Sequence, residues 1–197
     1  MYRYAEGAGT AARFNKIKDL DFLSSTELIC TDRDNHCLRL VDLSLSPPET
    51  SAFAGSCTVL GDADGHRLNS ALFDNLRYTE FNSNKSILFV VDDYKTLRMI
   101  DLRTDIVTTL VTFDSYCYDM KILEDSLLYL AQSTRVIVFN IDTREESVVA
   151  GGSGEGRAIG SFEHTKFGCI RGLFPRSDEV KTILLVADYC NNRFVGF

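Results

Sequence analysis

The sequence predicts an all-β chain, a β-propeller of four blades with four antiparallel strands in each, and three observations predict it. Leu38-Arg39-Leu40-Val41-Asp42-Leu43 returns as Leu97-Arg98-Met99-Ile100-Asp101-Leu102 at an offset of 59, with Phe14 returning as Phe73 at that offset and Asp32 as Asp92 at 60. The apolar runs are short, rich in Val, Ile, Leu, Phe and Tyr, and bounded by Asp, Asn, Ser and Gly, which is the pattern of strands joined by tight turns. Weaker copies keep the same order: Phe53-Ala54-Gly55 returns as Val149-Ala150-Gly151, dividing the 197 residues into four units of about 49. No segment of 12 or more residues carries a helical period.

Each strand follows from one such run. In the first copy they lie near Ile17 to Phe22, Glu27 to Thr31, Cys37 to Asp42 and Glu49 to Ala54. In the second they lie near Leu76 to Phe81, Ile87 to Val91, Leu97 to Asp101 and Val107 to Thr112. The third runs near Tyr118 to Leu123, Leu127 to Ala131, Val136 to Ile141 and Ser147 to Ala150. The fourth offers Cys169 to Phe174, Lys181 to Ala187 and Arg193 to Phe197, one strand short of a blade. Tyr2-Arg3-Tyr4-Ala5 precedes a glycine turn as Phe53-Ala54-Gly55 does, so the last blade is expected to close by pairing of the N- and C-terminal strands, which removes open sheet edges, the alternative being that the four repeats are part of a larger propeller. The expected organisation is one domain over 1–197, with blades near 7–55, 56–112, 113–151 and 152–197 plus 1–6.

Composition narrows the function. Charged residues make up 25% and apolar residues 45%, as in a globular domain. At this length roughly 70% of the extended chain's surface is buried, so apolar packing suffices to hold the core. Lys plus Arg number 21 and Asp plus Glu 28, and the resulting charge of −7 argues against nonspecific binding to nucleic acid or anionic membrane. The longest apolar runs, such as Ile183 to Ala187, are strand-sized, so no helical membrane insertion is expected. Met1 to Gly7 lacks the apolar core of a secretory signal, which leaves an intracellular chain or a mature piece of something longer.

The residues resemble the NHL-repeat β-propellers. The match runs through Gly61-Asp62-Ala63-Asp64-Gly65, Ala71-Leu72-Phe73, Leu88-Phe89-Val90-Val91-Asp92 and Leu97-Arg98-Met99-Ile100-Asp101. In the first copy Phe14, Asp32, Asn35 and Arg39 stand in place, and in the fourth Gly156, Phe162, Asp188, Asn191 and Arg193. The repeat-defining set is thus Phe14, Asp32, Arg39, Gly65, Phe73, Asp92, Arg98, Phe162, Asp188 and Arg193. The third copy departs, with Gln132 for Asp and Phe113 to Cys117 for the glycine turn. The resemblance implies a scaffold that usually binds proteins, sometimes RNA, and in a few relatives houses an enzyme. Fold alone decides none of these.

Other candidate chemistry is weaker than its structural reading. Gly7-Ala8-Gly9-Thr10-Ala11-Ala12 has the form of a dinucleotide fingerprint but lacks a buried strand before it. Asp62-Ala63-Asp64-Gly65 begins like a calcium loop, yet its twelfth position is Phe73 where a bidentate Glu is needed. His36, His66 and His164 sit in or beside turns without metal-ligand spacing, and Gly151-Gly152-Ser153-Gly154-Glu155 fails the nucleophile elbow at Glu155. No catalytic, cofactor or metal residue is therefore assigned.

The cysteines are more informative. Counting back across the third hairpin of the first copy places Cys57 beside residues near Cys37, so a bridge is geometrically reasonable, with Cys169 and Cys190 a looser version of it. Such bridges, with the Asn84-Lys85-Ser86 sequon, favour an extracellular chain or ectodomain over a cytoplasmic one, although free core thiols would suit the cytosol. The leading functional reading is a non-enzymatic module with a protein partner. The alternative is a propeller enzyme, lyase or lactonase-like, with a metal in the channel.

Overall fold

The computed structural model describes residues 4–161, 164–177 and 182–196. The protein has the all-β architecture of the β-propeller class, built from four antiparallel sheets. By its internal contacts the chain divides into two compact units, residues 1–112 and 113–197.

The first unit holds two five-stranded sheets. One contains β1 (Gly7–Ala8), β2 (Ile17–Phe22), β3 (Glu27–Asp32), β4 (Cys37–Asp42) and β5 (Glu49–Ala54), in the order β1-β5-β4-β3-β2. The other contains β6 (Gly65–His66), β7 (Tyr78–Phe81), β8 (Ile87–Asp92), β9 (Thr96–Asp101) and β10 (Ile106–Thr112), in the order β6-β10-β9-β8-β7. Ile29, Leu38 and Phe53 pack with Phe73, Leu76, Phe81, Leu88 and Val90 to form the core of this unit. The second unit holds β11 (Cys117–Glu124), β12 (Leu127–Gln132), β13 (Arg135–Asn140) and β14 (Glu146–Gly151) in sequence, and a sheet of β15 (Ile170–Ser177), β16 (Thr182–Asp188) and β17 (Arg193–Gly196). Its core joins Ala131, Val136 and Ala150 to Phe167, Leu173 and Val186.

One expectation needs correction. The short strands β1 and β6 add a fifth member to the first two sheets, because the chain turns back along the outer strand of its own sheet at Gly7 and Gly65. Gly65 has φ +129, and a Cβ there would lie 2.4 Å from Ser70 Oγ, so the turn requires glycine. The same geometry bears on the closing pair. Ala5 bridges Arg13, and its carbonyl accepts Arg39 Nη2 at 2.9 Å, so this part of the expected closing strand is held by the first sheet. Among the described residues β17 pairs with β16, and Met1–Arg3 lie outside them.

Candidate functional site

A repeated polar cluster organises each sheet. Asp32, at the end of β3, is fully buried: Oδ1 accepts Asn15 N at 2.6 Å, and Oδ2 accepts Asn35 Nδ2 at 2.8 Å and Arg39 Nη1 at 3.1 Å. The Arg39 guanidinium is sandwiched between the Tyr4 and Phe14 rings, 4.6 and 5.1 Å from their centroids. Asp92 repeats this with Asp74 N at 2.9 Å and Arg98 Nη1 at 3.2 Å, and Arg98 lies over Phe73 at 4.6 Å. Such pairs persist in a low-dielectric interior because hydrogen bonds saturate the charged groups.

The fourth sheet reaches the same result from another register. Arg193 pairs opposite Asp188, whereas Arg39 and Arg98 sit two residues further along their strands, yet Arg193 Nε meets Asp188 Oδ2 at 2.8 Å. Residues two apart share a strand face, so either position brings a guanidinium to the same carboxylate. Phe162 lies outside the described residues. Fully buried Phe167 occupies the place of Phe73: Gly156 N donates to its carbonyl at 3.1 Å as Gly61 N does to Phe73 at the same distance. In the third sheet neutral Gln132 accepts from Arg135, whose second partner is Asp114.

This geometry removes the recurring arginines from the surface. Arg39 and Arg98 are 0% and 1% exposed, so they cannot form a phosphate footprint for RNA. The turn Asp62–Gly65 is occupied likewise, with Asp64 accepting Arg98 Nη2 at 2.8 Å and Thr109 N at 2.9 Å. Gly9–Ala11 is a single 3-10 turn with no α-helix to receive a pyrophosphate.

The histidines bond to separate partners. His36 Nδ1 is 2.9 Å from Asp74 O, His66 Nδ1 accepts Leu68 N at 3.3 Å, and His164 Nδ1 is 2.7 Å from Ser161 Oγ. Among the described residues no three His, Cys, Asp or Glu side chains are grouped to hold a metal ion.

Two disulfides staple the first and last sheets, Cys37–Cys57 and Cys169–Cys190, with Cα separations of 5.0 and 5.1 Å. Cys30 and Cys117 are buried free thiols, and burial foremost pushes each up to about 12.

The surfaces that stand out are sheet faces. Leu20, Thr79, Met120 and Leu173 occupy equivalent places on the inner strands, each opposite the residue two before the sheet's Asp or Gln. Thr79, Met120 and Leu173 are 3%, 0% and 3% exposed, whereas Leu20 is 54% and its neighbour Phe22 is 52% exposed. In the last sheet Phe194 is 80% exposed, while its equivalents Leu38, Leu97 and Val136 are fully buried. Phe194, Phe174, Leu185, Ala187 and Gly172 line an apolar hollow of about 260 Å³ on the last sheet.

No family model matches the chain, and no curated protein does. Solved structures do. An auxiliary nutrient binding protein from Bacteroides ovatus aligns over 99% of this chain and 58% of its own, with a TM-score of 0.58 and 10% identity. A second protein so described, from Bacteroides thetaiotaomicron, aligns over 100% and 60% with a TM-score of 0.51 and 12% identity. A chain of a nidogen/laminin complex aligns over 87% and 56% with a TM-score of 0.60 and 11% identity. This chain therefore spans less than two thirds of each, and at these identities the likeness shows the fold alone.

Proposed function

We propose that the protein is a non-enzymatic interaction scaffold of the NHL β-propeller type, working outside the cytoplasm and binding a protein partner through the open apolar faces of its first and last sheets. The exposure of Leu20, Phe22, Phe174 and Phe194 carries this reading. Large contiguous apolar surface is rare on a protein without a partner, and aromatic side chains in shallow pockets supply the anchors of protein interfaces. The occupant that suits such a face is another apolar sheet face. Within the first unit the face bearing Ile29 and Leu38 is covered in this manner by Phe81, Leu88 and Val90.

The Asp–Arg repeat supports the NHL type, and the two disulfides support an oxidising compartment. Asn84 of the sequon is exposed in the turn between β7 and β8, accessible to glycosylation. The solved structures described as nutrient binding proteins agree with a binding role without naming a ligand for this chain.

The test is affinity capture from the source tissue with the protein and a Phe174→Glu/Phe194→Glu variant, with identification of what each retains. A defined protein held by the first and lost by the second supports the reading. Equal capture by both, together with turnover in a lyase or lactonase screen, contradicts it.

A further inference from the structure

The loop end of the first unit holds a second polar cluster outside the Asp–Arg repeat. Arg77 immediately precedes β7, and its N–H donates to Val91 O at 2.9 Å, which ties the residue beside the turn joining β8 to β9. In that turn Asp93 and Tyr94 both take positive φ, 42 and 63, and the turn carries the Tyr94 ring beneath the guanidinium, with Cζ 3.4 Å from its centroid. Arg77 is only 7% exposed.

What distinguishes Arg77 from the repeat arginines is how many of its donors are unused. Arg39 gives its nitrogens to carbonyls and a carboxylate, and Arg98 satisfies both Nη groups and leaves only Nε unpartnered, but both Nε and Nη2 of Arg77 are buried without a hydrogen-bond partner. The neighbouring cation makes this worse. Arg33, in the turn after β3, presents a second guanidinium whose Nε lies 2.8 Å from Asp34 Oδ1 without hydrogen-bond alignment. Burial first, and then the charge of Arg33, pull the Arg77 pKa below the ordinary arginine value against the opposing pull of Tyr78, Asp34 and Asp93.

The nearby carboxylates have partners other than Arg77. Asp34 ion-pairs with Lys16 at 2.7 Å and with Arg33 at 2.8 Å, Asp92 holds Arg98, and Asp74 Oδ1 accepts Asn75 Nδ2 at 2.8 Å. Asp93 is exposed. Two like charges, one desolvated with in-plane donors unused, require an acceptor of opposite charge. A guanidinium offers its Nε and Nη edge to an oxyanion in bidentate fashion, and stacking on Tyr94 fixes the plane of that fork.

We propose that Arg77 and Arg33, with Tyr94 orienting the first, form an oxyanion-binding site that takes a carboxylate or phosphate group. The site does not depend on the apolar sheet faces.

Arginine Nε–Hε NMR of the intact protein tests this, with inorganic phosphate and acetate titrated separately against chloride at fixed ionic strength. The expected result is a saturable shift of the Arg77 Nε–Hε signal with at least one of them. Saturation with phosphate alone identifies a phosphate site, and with acetate alone a carboxylate site. Arg33→Gln, at a half-buried turn position where the fold is retained, should weaken binding at least tenfold, and Arg77→Met should abolish the saturable response of the remaining signals. A response no greater than with chloride for both anions, or an Arg33→Gln variant that binds as tightly as the parent, overturns the proposal.

Discussion

At the scale of the residue, the Asp–Arg pairs dominate. Asp32 and Arg39 are both fully buried, so removing one partner leaves an uncompensated charge. Asp32→Ala should therefore destabilise by about 3–5 kcal/mol, read as a fall in the denaturation midpoint. The Asp residues also differ from one another. Asp188 accepts from Asn191 Nδ2 and Arg193 Nε, both at 2.8 Å; burial raises its pKa, but these bonds hold it below the usual value. Asp92 has Lys95 where the first and fourth sheets supply Asn, and burial pushes it up to about 6 against the pull of Arg98. A carboxyl whose folded pKa exceeds its unfolded value costs stability as it ionises. The Asp92 contribution should fall as pH rises from about 4 to about 6, a slope missing in Asp92→Asn when stability is measured across that range. Cys30 and Cys117 give a third expectation. Buried and weakly acidic, they should resist alkylation at pH 8 in the native protein and react only at the rate of unfolding.

At the scale of the element, carboxylates join sheets within each unit. Asp19 on β2 accepts Thr79 N of β7 at 2.8 Å, and Asp119 on β11 accepts Leu173 N of β15 at 2.7 Å. The two occupy one repeat position, beside a register shift in the inner strand. Asp119→Ala should free the Leu173 amide, seen as faster hydrogen exchange there than at β13, and cost about 1–3 kcal/mol for the orphaned donor. The strands themselves were legible: Ile17–Phe22, Cys37–Asp42 and Glu49–Ala54 begin and end where alternation and turn residues put them. So was the Cys37–Cys57 bridge, because hairpin pairing fixes which residues face each other. The Asp19 and Asp119 links were not, since a carboxylate that accepts backbone N–H groups from another sheet has no local spacing. The available signal was an Asp recurring immediately before an apolar inner-strand residue, Asp19-Leu20 and Asp119-Met120. Phe167 was hidden by the longer turn before it, which offered Phe162 at a nearer match to the repeat. Arg193 shows the converse: the repeat match named it and Asp188 without pairing them, and the two meet although the register differs by two.

At the scale of the whole molecule, each of the two units carries one disulfide linking residues 20 or 21 apart. By the chain-entropy account each contributes on the order of 3 kcal/mol, so reduction should lower the thermal midpoint markedly. The exposed faces were not legible because the alternation in β2 and β17 is that of the buried strands, and only solvent exposure separates Leu20 from Met120 and Phe194 from Leu38. The same exposure makes the account testable at one position. A photo-crosslinking amino acid placed at Phe194 should label a single defined protein in the source tissue, competed by excess unlabelled protein and abolished by Phe174→Glu. Labelling that is absent, or dispersed over many proteins and insensitive to competitor, would contradict the account.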